Sequence, residues 1–249
     1  MKPVLRYPGG KYRAIESIVQ HIPNNISELC SPFFGGGSIE LWLMHNRGIL
    51  IHGYDWFKPL VNFWQSLYWD RYKLTELIQP TFDMGVSDML FRMMQKSLMD
   101  ISDPFIQAAS FFILNRTSFS GLVLNGGKSV GNPRFTQSCI DRLSIADNIP
   151  FIQYAHFKMS IKKHDCLIYA DPPYYIQQRL YGERDKQDKF NHMLLAKLLN
   201  DRGNFILSYN DCVEIRLLYN KHNIISREWK YGIGKKNSNE LLIISKDLC

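Results

Sequence analysis

The stretch YADPPYY at 169–175 limits the fold more than any other part of this chain. Cys166, Leu167, Ile168 and Tyr169 before it are apolar and read as a buried strand. Pro172 and Pro173 cannot continue a strand interior or sit inside a helix. The strand therefore stops at Asp171, and the chain leaves the sheet there as a rigid turn. In open α/β sheets, ligands bind outside the carboxyl ends of strands. A carboxylate at that place is a candidate functional group.

The surrounding pattern supplies such a sheet. Residues 12–22 put Ile15, Ile18, Val19 and Ile22 on one helical face, and Pro23-Asn24-Asn25 stops that helix. A short apolar run around Leu29 precedes PFFGGGS at 32–38, and Ser38 is placed to cap a helix through IELWLMH. The strand ILIHGY ends at Asp55, and a helix carrying Leu60, Val61, Trp64 and Leu67 follows. From about 70 to 150 the chain is rich in methionine and aromatic helical pieces, with one Gly/Asn-rich loop or hairpin and no strong buried strand. Strand–helix alternation then resumes with CLIYA, a helix marked by Phe190, Met193, Leu194, Lys197 and Leu198, NFILSY, and the helix VEIRLLY. Two late strands, NIISREW and ELLIISK, are joined by the basic loop KYGIGKKNSN with no helix between them. The expected class is α/β: a Rossmann-like mixed sheet, mostly parallel with an antiparallel edge hairpin, plus a mostly helical insertion.

Composition narrows the partners. The formal net charge is +7, which favours a polyanion, nucleic acid before a membrane surface. The cysteines at 30, 139, 166, 212 and 249 form no C-x-x-C pair, and no H-E-x-x-H spacing occurs, so neither a zinc site nor a disulfide framework is expected. Free thiols fit a reducing cytosol. No apolar run reaches the roughly eighteen residues of a membrane span, and no secretion signal follows Lys2.

Between the first strand and helix, the glycines of FFGGGS let the main chain approach a ligand, and the helix start offers unpaired N–H groups. Asp55 ends the next strand, where a carboxylate commonly binds the ribose hydroxyls of a nucleoside. A plain tight turn and a turn aspartate would leave the same trace. The G-x-G-x-x-G fingerprint needs a third glycine where Glu40 stands, which disfavours NAD. A nucleoside cofactor without a pyrophosphate fits better, and S-adenosylmethionine is the common one.

The acid, the rigid imides and the ring of DPPY suit an exocyclic amine. Its lone pair is delocalised into the base, so it is a poor nucleophile. An ionised Asp171 would accept one N–H and the main-chain carbonyl of Pro172 the other, drawing the nitrogen toward tetrahedral geometry. Hydrogen bonds to a charged acceptor are worth about 1.5–3 kcal/mol each. Tyr174 would stack on the base. A Pro-Pro turn with an aspartate cap is the plainer alternative.

With these motifs in place, the chain resembles the Dam-type, D12 class DNA adenine-N6 methyltransferases over nearly its whole length. The resemblance rests on RYPGGKYR at 6–13, PFFGGGS, HGYD, ILNRTSFSGL at 113–122, DPPYY, FILSYND and KKNSNELLIIS. It implies a catalytic, S-adenosylmethionine-binding domain from 1–55 and 151–249, with a target-recognition insertion at 56–150. Tyr7, Lys11, Phe33, Gly35, Gly37 and Asp55 would bind the cofactor. Asp171 would lie between the cofactor's amino group and the target base, and Asp171, Pro172 and Tyr174 would hold the adenine. Asn115, Arg116, Phe119, Gly121 and Leu122 match a segment the family uses near DNA. Asn125 and Lys128 would join Arg116 and Phe119 there, with Lys128, Arg134, Lys235 and Lys236 neutralising phosphates.

The expected reaction is methyl transfer to adenine N6 in double-stranded DNA by base flipping and direct attack, with no metal. Cytosine N4 and an inactive nucleic-acid-binding protein of the same fold are the alternatives. A cytoplasmic monomer or weak dimer is expected, in a prokaryotic or virus-infected cell, with a restriction endonuclease as a further partner. Two positions depart from the family's pattern: Ser31 stands where a glutamate is frequent, and Leu124 where GATC readers usually carry arginine. Arg116 also suits a structural ion pair, Phe119 a core position, and the lysines a solvated surface.

Overall fold

The computed structural model describes residues 3–130, 134–175, 190–230 and 237–248. Among these, the strands are β1 (Glu28–Ser31), β2 (Leu50–Asp55), β3 (Gln153–Tyr154), β4 (Leu167–Ala170), β5 (Phe205–Asn210), β6 (Asn223–Lys230) and β7 (Asn237–Ile244). They form one sheet in the order β3-β2-β1-β4-β5-β7-β6. Pairings among β1 to β5 are parallel, while β7 runs antiparallel to both β5 and β6. The expected mixed sheet with an antiparallel edge pair is therefore present. Strand order reverses between β1 and β4, and a reversal of this kind opens a crevice at the strands' carboxyl ends.

The helices are α1 (Ile15–Val19), α2 (Ser38–Arg47), α3 (Lys58–Trp69), α4 (Arg71–Met84), α5 (Asp88–Ser97), α6 (Pro104–Thr117), α7 (Gln137–Ser144), α8 (Phe157–Lys163), α9 (His192–Arg202) and α10 (Val213–Leu218). Side chains alternate across a strand, so each buried strand feeds two cores. Leu29, Ile51, Leu167, Tyr169 and Ile206 face one layer, with Ile18, Leu43, Leu60 and Trp64 of α1 to α3. Cys30, Ile168, Ala170 and Leu207 face the other, with Phe157, Leu195 and Ile215 of α8 to α10. Helices cover both faces, which is why β4 and β5 are buried throughout rather than alternating.

Several ends are set by capping. Asp70, Ser87, Asp103 and Asn191 each accept a main-chain N–H in the first turn of α4, α5, α6 and α9. Ser38 does not do this. Gly37 takes the cap position with φ +65°, and Ser38 is the first helical residue. Two elements escaped the periodicity argument: β3 is only two residues long, and α8 only seven.

The stretch from 70 to 150 is helical, as its composition suggests. Leu74, Phe111, Phe112 and Leu143 of α4, α6 and α7 belong to the same apolar cluster as the first sheet face. The Gly/Asn-rich segment after α6 is hairpin-like: Ser118 bridges Lys128, and Phe119 donates its main-chain N–H to the Gly127 carbonyl at 2.8 Å. Lys235 and Lys236 of the late basic loop lie outside the described residues. Among the described residues, no helix is long and apolar enough to cross a membrane.

One side chain ties the N-terminal segment to this insertion. Asn115 Oδ1 accepts the Arg6 main-chain N–H at 2.9 Å, and Asn115 Nδ2 donates to the Arg6 carbonyl at 2.7 Å. Asn115 is buried, and Gly121 packs so closely that an added Cβ would lie 2.2 Å from the Arg6 carbonyl oxygen. Leaving buried main-chain groups unpaired costs about 1–3 kcal/mol each. Asn115→Ala is therefore expected to lower unfolding stability by about 2–3 kcal/mol, read from the urea midpoint. An unchanged midpoint would remove this link from the account.

Candidate active site

Three chain segments meet at the crevice. β1 ends at Ser31 and runs into the glycine turn, β2 ends at Asp55, and β4 ends just before Asp171. They line a cavity of about 480 Å³. The turn is held in a left-handed conformation at Gly35, φ +52°, and at Gly37. The Tyr7 ring lies against it; a Cβ at Gly35 would come within 2.9 Å of that ring. Tyr7 is therefore a floor for the turn as well as part of the cavity wall.

Asp55 fixes the turn from the other side. Its Oδ2 accepts the Gly35 N–H at 3.0 Å, and its Oδ1 accepts the Phe57 N–H at 2.9 Å. The Trp64 indole N–H donates to the Gly35 carbonyl at 3.0 Å. Burial pushes the Asp55 carboxyl up from its ordinary range, and the main-chain donors pull it back. Phe33 borders the cavity against the rings of Phe157 and Phe190, each 5.6 Å away.

At the β4 end, Lys11 Nζ lies 2.8 Å from both oxygens of Asp171. The same ammonium donates to the Tyr174 hydroxyl at 2.7 Å and the Gly9 carbonyl at 3.0 Å, and stands 3.8 Å from Glu240 on β7. The Lys11 side chain is 3% exposed and that of Asp171 23%, so the pair is shielded on one side and open to the cavity on the other. Burial raises the Asp171 pKa, and the Lys11 ammonium lowers it. Pro172 is buried behind it, and the Tyr174 ring stacks on Tyr209 at 6.1 Å. Asn210, at the end of β5, accepts the Tyr175 N–H at 2.8 Å and holds the chain as it leaves the turn.

Sequence reasoning missed other groups here. Glu40 of α2 is buried at the cavity wall and accepts a hydrogen bond from the Ser31 hydroxyl at 2.7 Å. Burial pushes its carboxyl up to about 7. Trp56 follows Asp55 and stacks flat on Tyr154 at 4.8 Å, with His156 edge-on to it. Glu240 and Asn210 sat in quoted motifs without a role; only the fold brings β5 and β7 beside β4.

The candidates for DNA contact lie apart from these groups, at and beyond the end of α6. Arg116 is buried with its guanidinium 5.9 Å from the Phe112 ring, and among the described residues no carboxylate pairs with it. Phe119 is 65% exposed, which rules out a core position. Asn125 is exposed in the loop. Lys128 pairs with Asp88 at 2.7 Å, and Arg134 is exposed.

One donor cluster lies toward the strands' amino ends: ligand atoms of His52, His164 and Cys166 fall within 4.8 Å of one another. The two imidazoles stack at 4.2 Å and 21°, and their Nε2 atoms are engaged by Glu28 and the Tyr54 hydroxyl. Lone pairs on stacked rings run side by side rather than toward one point, which is poor geometry for a shared ion.

Comparison with known proteins identifies the family. The family model for D12 class N6 adenine-specific DNA methyltransferase matches residues 7–233. The DNA adenine methylase of Escherichia coli K12 is 25% identical over 184 residues, covering 68% of this chain and 64% of that protein. The enzyme of that name from Salmonella typhi is 24% identical with the same coverage, and that of Vibrio cholerae 26% over 181 residues. The chain thus matches 64% of the length of these relatives, a little under two thirds. From the N-terminal tyrosine to the basic loop before β7, this chain belongs to the D12 class N6 adenine-specific DNA methyltransferase family.

Proposed function

We propose that this protein transfers a methyl group from S-adenosylmethionine to the N6 amino group of adenine in duplex DNA. The observation that carries the reading is Asp171: a carboxylate at the end of β4, open to the cavity and backed by two prolines. The family match and relatives named DNA adenine methylase support adenine as the base.

The cavity's donor set fits the cofactor. Asp55, Glu40 and Asp171 supply three carboxylates to the wall, and Lys11 is the lysine that joins them, so charge favours a cationic ligand. Asp55, beside the glycine turn, would receive the ribose hydroxyls. Phe33, Gly35, Gly37 and Tyr7 would border the chain beyond it. When bound, the cofactor supplies an electrophilic methyl group on a positively charged sulfur.

The protein's own part is to present the nitrogen. An adenine inside a duplex cannot reach Asp171, so the base is extruded, at a cost of a few kcal/mol offset by contacts in the pocket. Asp171 then accepts one N–H of the base and the Pro172 carbonyl the other. Tyr174, braced by Tyr209, stacks on the ring. Before the base arrives, Lys11 holds both Asp171 oxygens, so it must yield at least one. Glu240, 3.8 Å away, is placed to keep the ammonium as it moves. Alignment of nitrogen and methyl supplies most of the acceleration, because hydrogen bonds count only as far as they tighten in the transition state. The helices between β2 and β3 and the loop bearing Phe119, Asn125 and Lys128 would read the target, with Arg116 supporting that loop from beneath.

Asp171→Ala is expected to lower tritium transfer from labelled cofactor to DNA by a thousandfold or more, with circular dichroism unchanged. Near-normal turnover would refute the clamp. Asp55→Ala is expected to weaken cofactor binding by about 10–100-fold, from charged hydrogen bonds worth about 1.5–3 kcal/mol, with DNA affinity within a factor of about two. Calorimetry showing unchanged cofactor affinity would move the ribose elsewhere.

A further inference from the structure

We infer that Glu40 is the carboxylate that receives the ammonium group of the cofactor's amino-acid end, held in place by Ser31. This rests on the proposed use of S-adenosylmethionine and names a residue of the same cavity. Glu40 lies in the first turn of α2, directly after the glycine turn, and its side chain is almost wholly buried at the cavity wall. Its Oε1 accepts the Ser31 hydroxyl at 2.7 Å. No lysine, arginine or histidine among the described residues comes within 4.0 Å of it. A buried carboxylate without a cation is costly, so one that faces a cavity suits a cation that enters it.

Position selects the cationic group. Asp55 closes β2 on one side of β1, whereas Glu40 is tied to the end of β1 and feels the charge of Asp171 just past β4, on the other side. An elongated ligand with its ribose at Asp55 therefore carries its amino acid toward Glu40. The sulfonium has no N–H to donate, and in the proposed reaction Asp171 shares its two oxygens between Lys11 and the incoming base. Glu40 is left as the acceptor for the ammonium. Ser31 acts through Glu40 as a positioning residue.

Calorimetry with three probes tests this: S-adenosylmethionine, S-adenosylhomocysteine and 5′-methylthioadenosine, which lacks the amino-acid end. Glu40→Gln keeps an acceptor for Ser31 and removes the charge. It is expected to weaken the first two ligands tenfold or more while leaving 5′-methylthioadenosine within twofold. Ser31→Ala, which retains the charge but frees the side chain, is expected to weaken the first two by about three- to tenfold. Unchanged affinities in both variants, or equal losses for all three ligands, would overturn the assignment while leaving the proposed function standing. Wild-type protein that binds none of the three would remove the cofactor reading itself, and this assignment with it.

Discussion

The contact between Lys11 and Asp171 joins residues 160 positions apart and fixes the working end of the sheet. A half-buried carboxylate just past β4 is costly alone, and the ammonium offsets that cost. The same pair determines where the N-terminal segment must lie. With Lys11 at Asp171, Tyr7 falls under the glycine turn and Arg6 is clamped by Asn115 of the insertion. Sheet, glycine turn and the helices between β2 and β3 are thereby mechanically connected through one short N-terminal stretch. A variant that loosens that stretch should disturb all three together.

The site also illustrates how charge can prepare a pocket for chemistry. Asp55, Glu40 and Asp171 face one cavity, and the shift of Glu40 toward neutral pH has burial as its main cause, with Asp171 adding to it. A cationic ligand relieves both effects, because it replaces lost hydration and balances the neighbouring charge. Lys11 favours the ionised form of Asp171, and under the proposed reaction a positively charged cofactor would add to that.

Much of this layout was legible in the sequence because the constraints were local. Two prolines after an apolar tetrad fix a strand end, three glycines fix a turn, and an apolar run ending in aspartate fixes β2. The antiparallel edge followed from two strands lacking a helix between them. What stayed hidden was non-local or too short. β3 has no period to detect. Ser38 looked like a cap, but a left-handed Gly37 already turns the chain, so the serine begins the helix. Glu40 served only to exclude a dinucleotide fingerprint, because its partner Ser31 becomes a neighbour only after the turn folds back. The burial of Arg116 depends on α6 packing against its neighbours, which spacing cannot disclose.

The account stands on adenine's amino group reaching the Asp171 carboxylate. Its most direct test is mass spectrometry of nucleosides from mixed-sequence duplex DNA treated with this protein and S-adenosylmethionine bearing a deuterated methyl group. The account predicts that the label appears in N6-methyldeoxyadenosine. Label confined to N4-methyldeoxycytidine, or absent although the cofactor is bound, would contradict it.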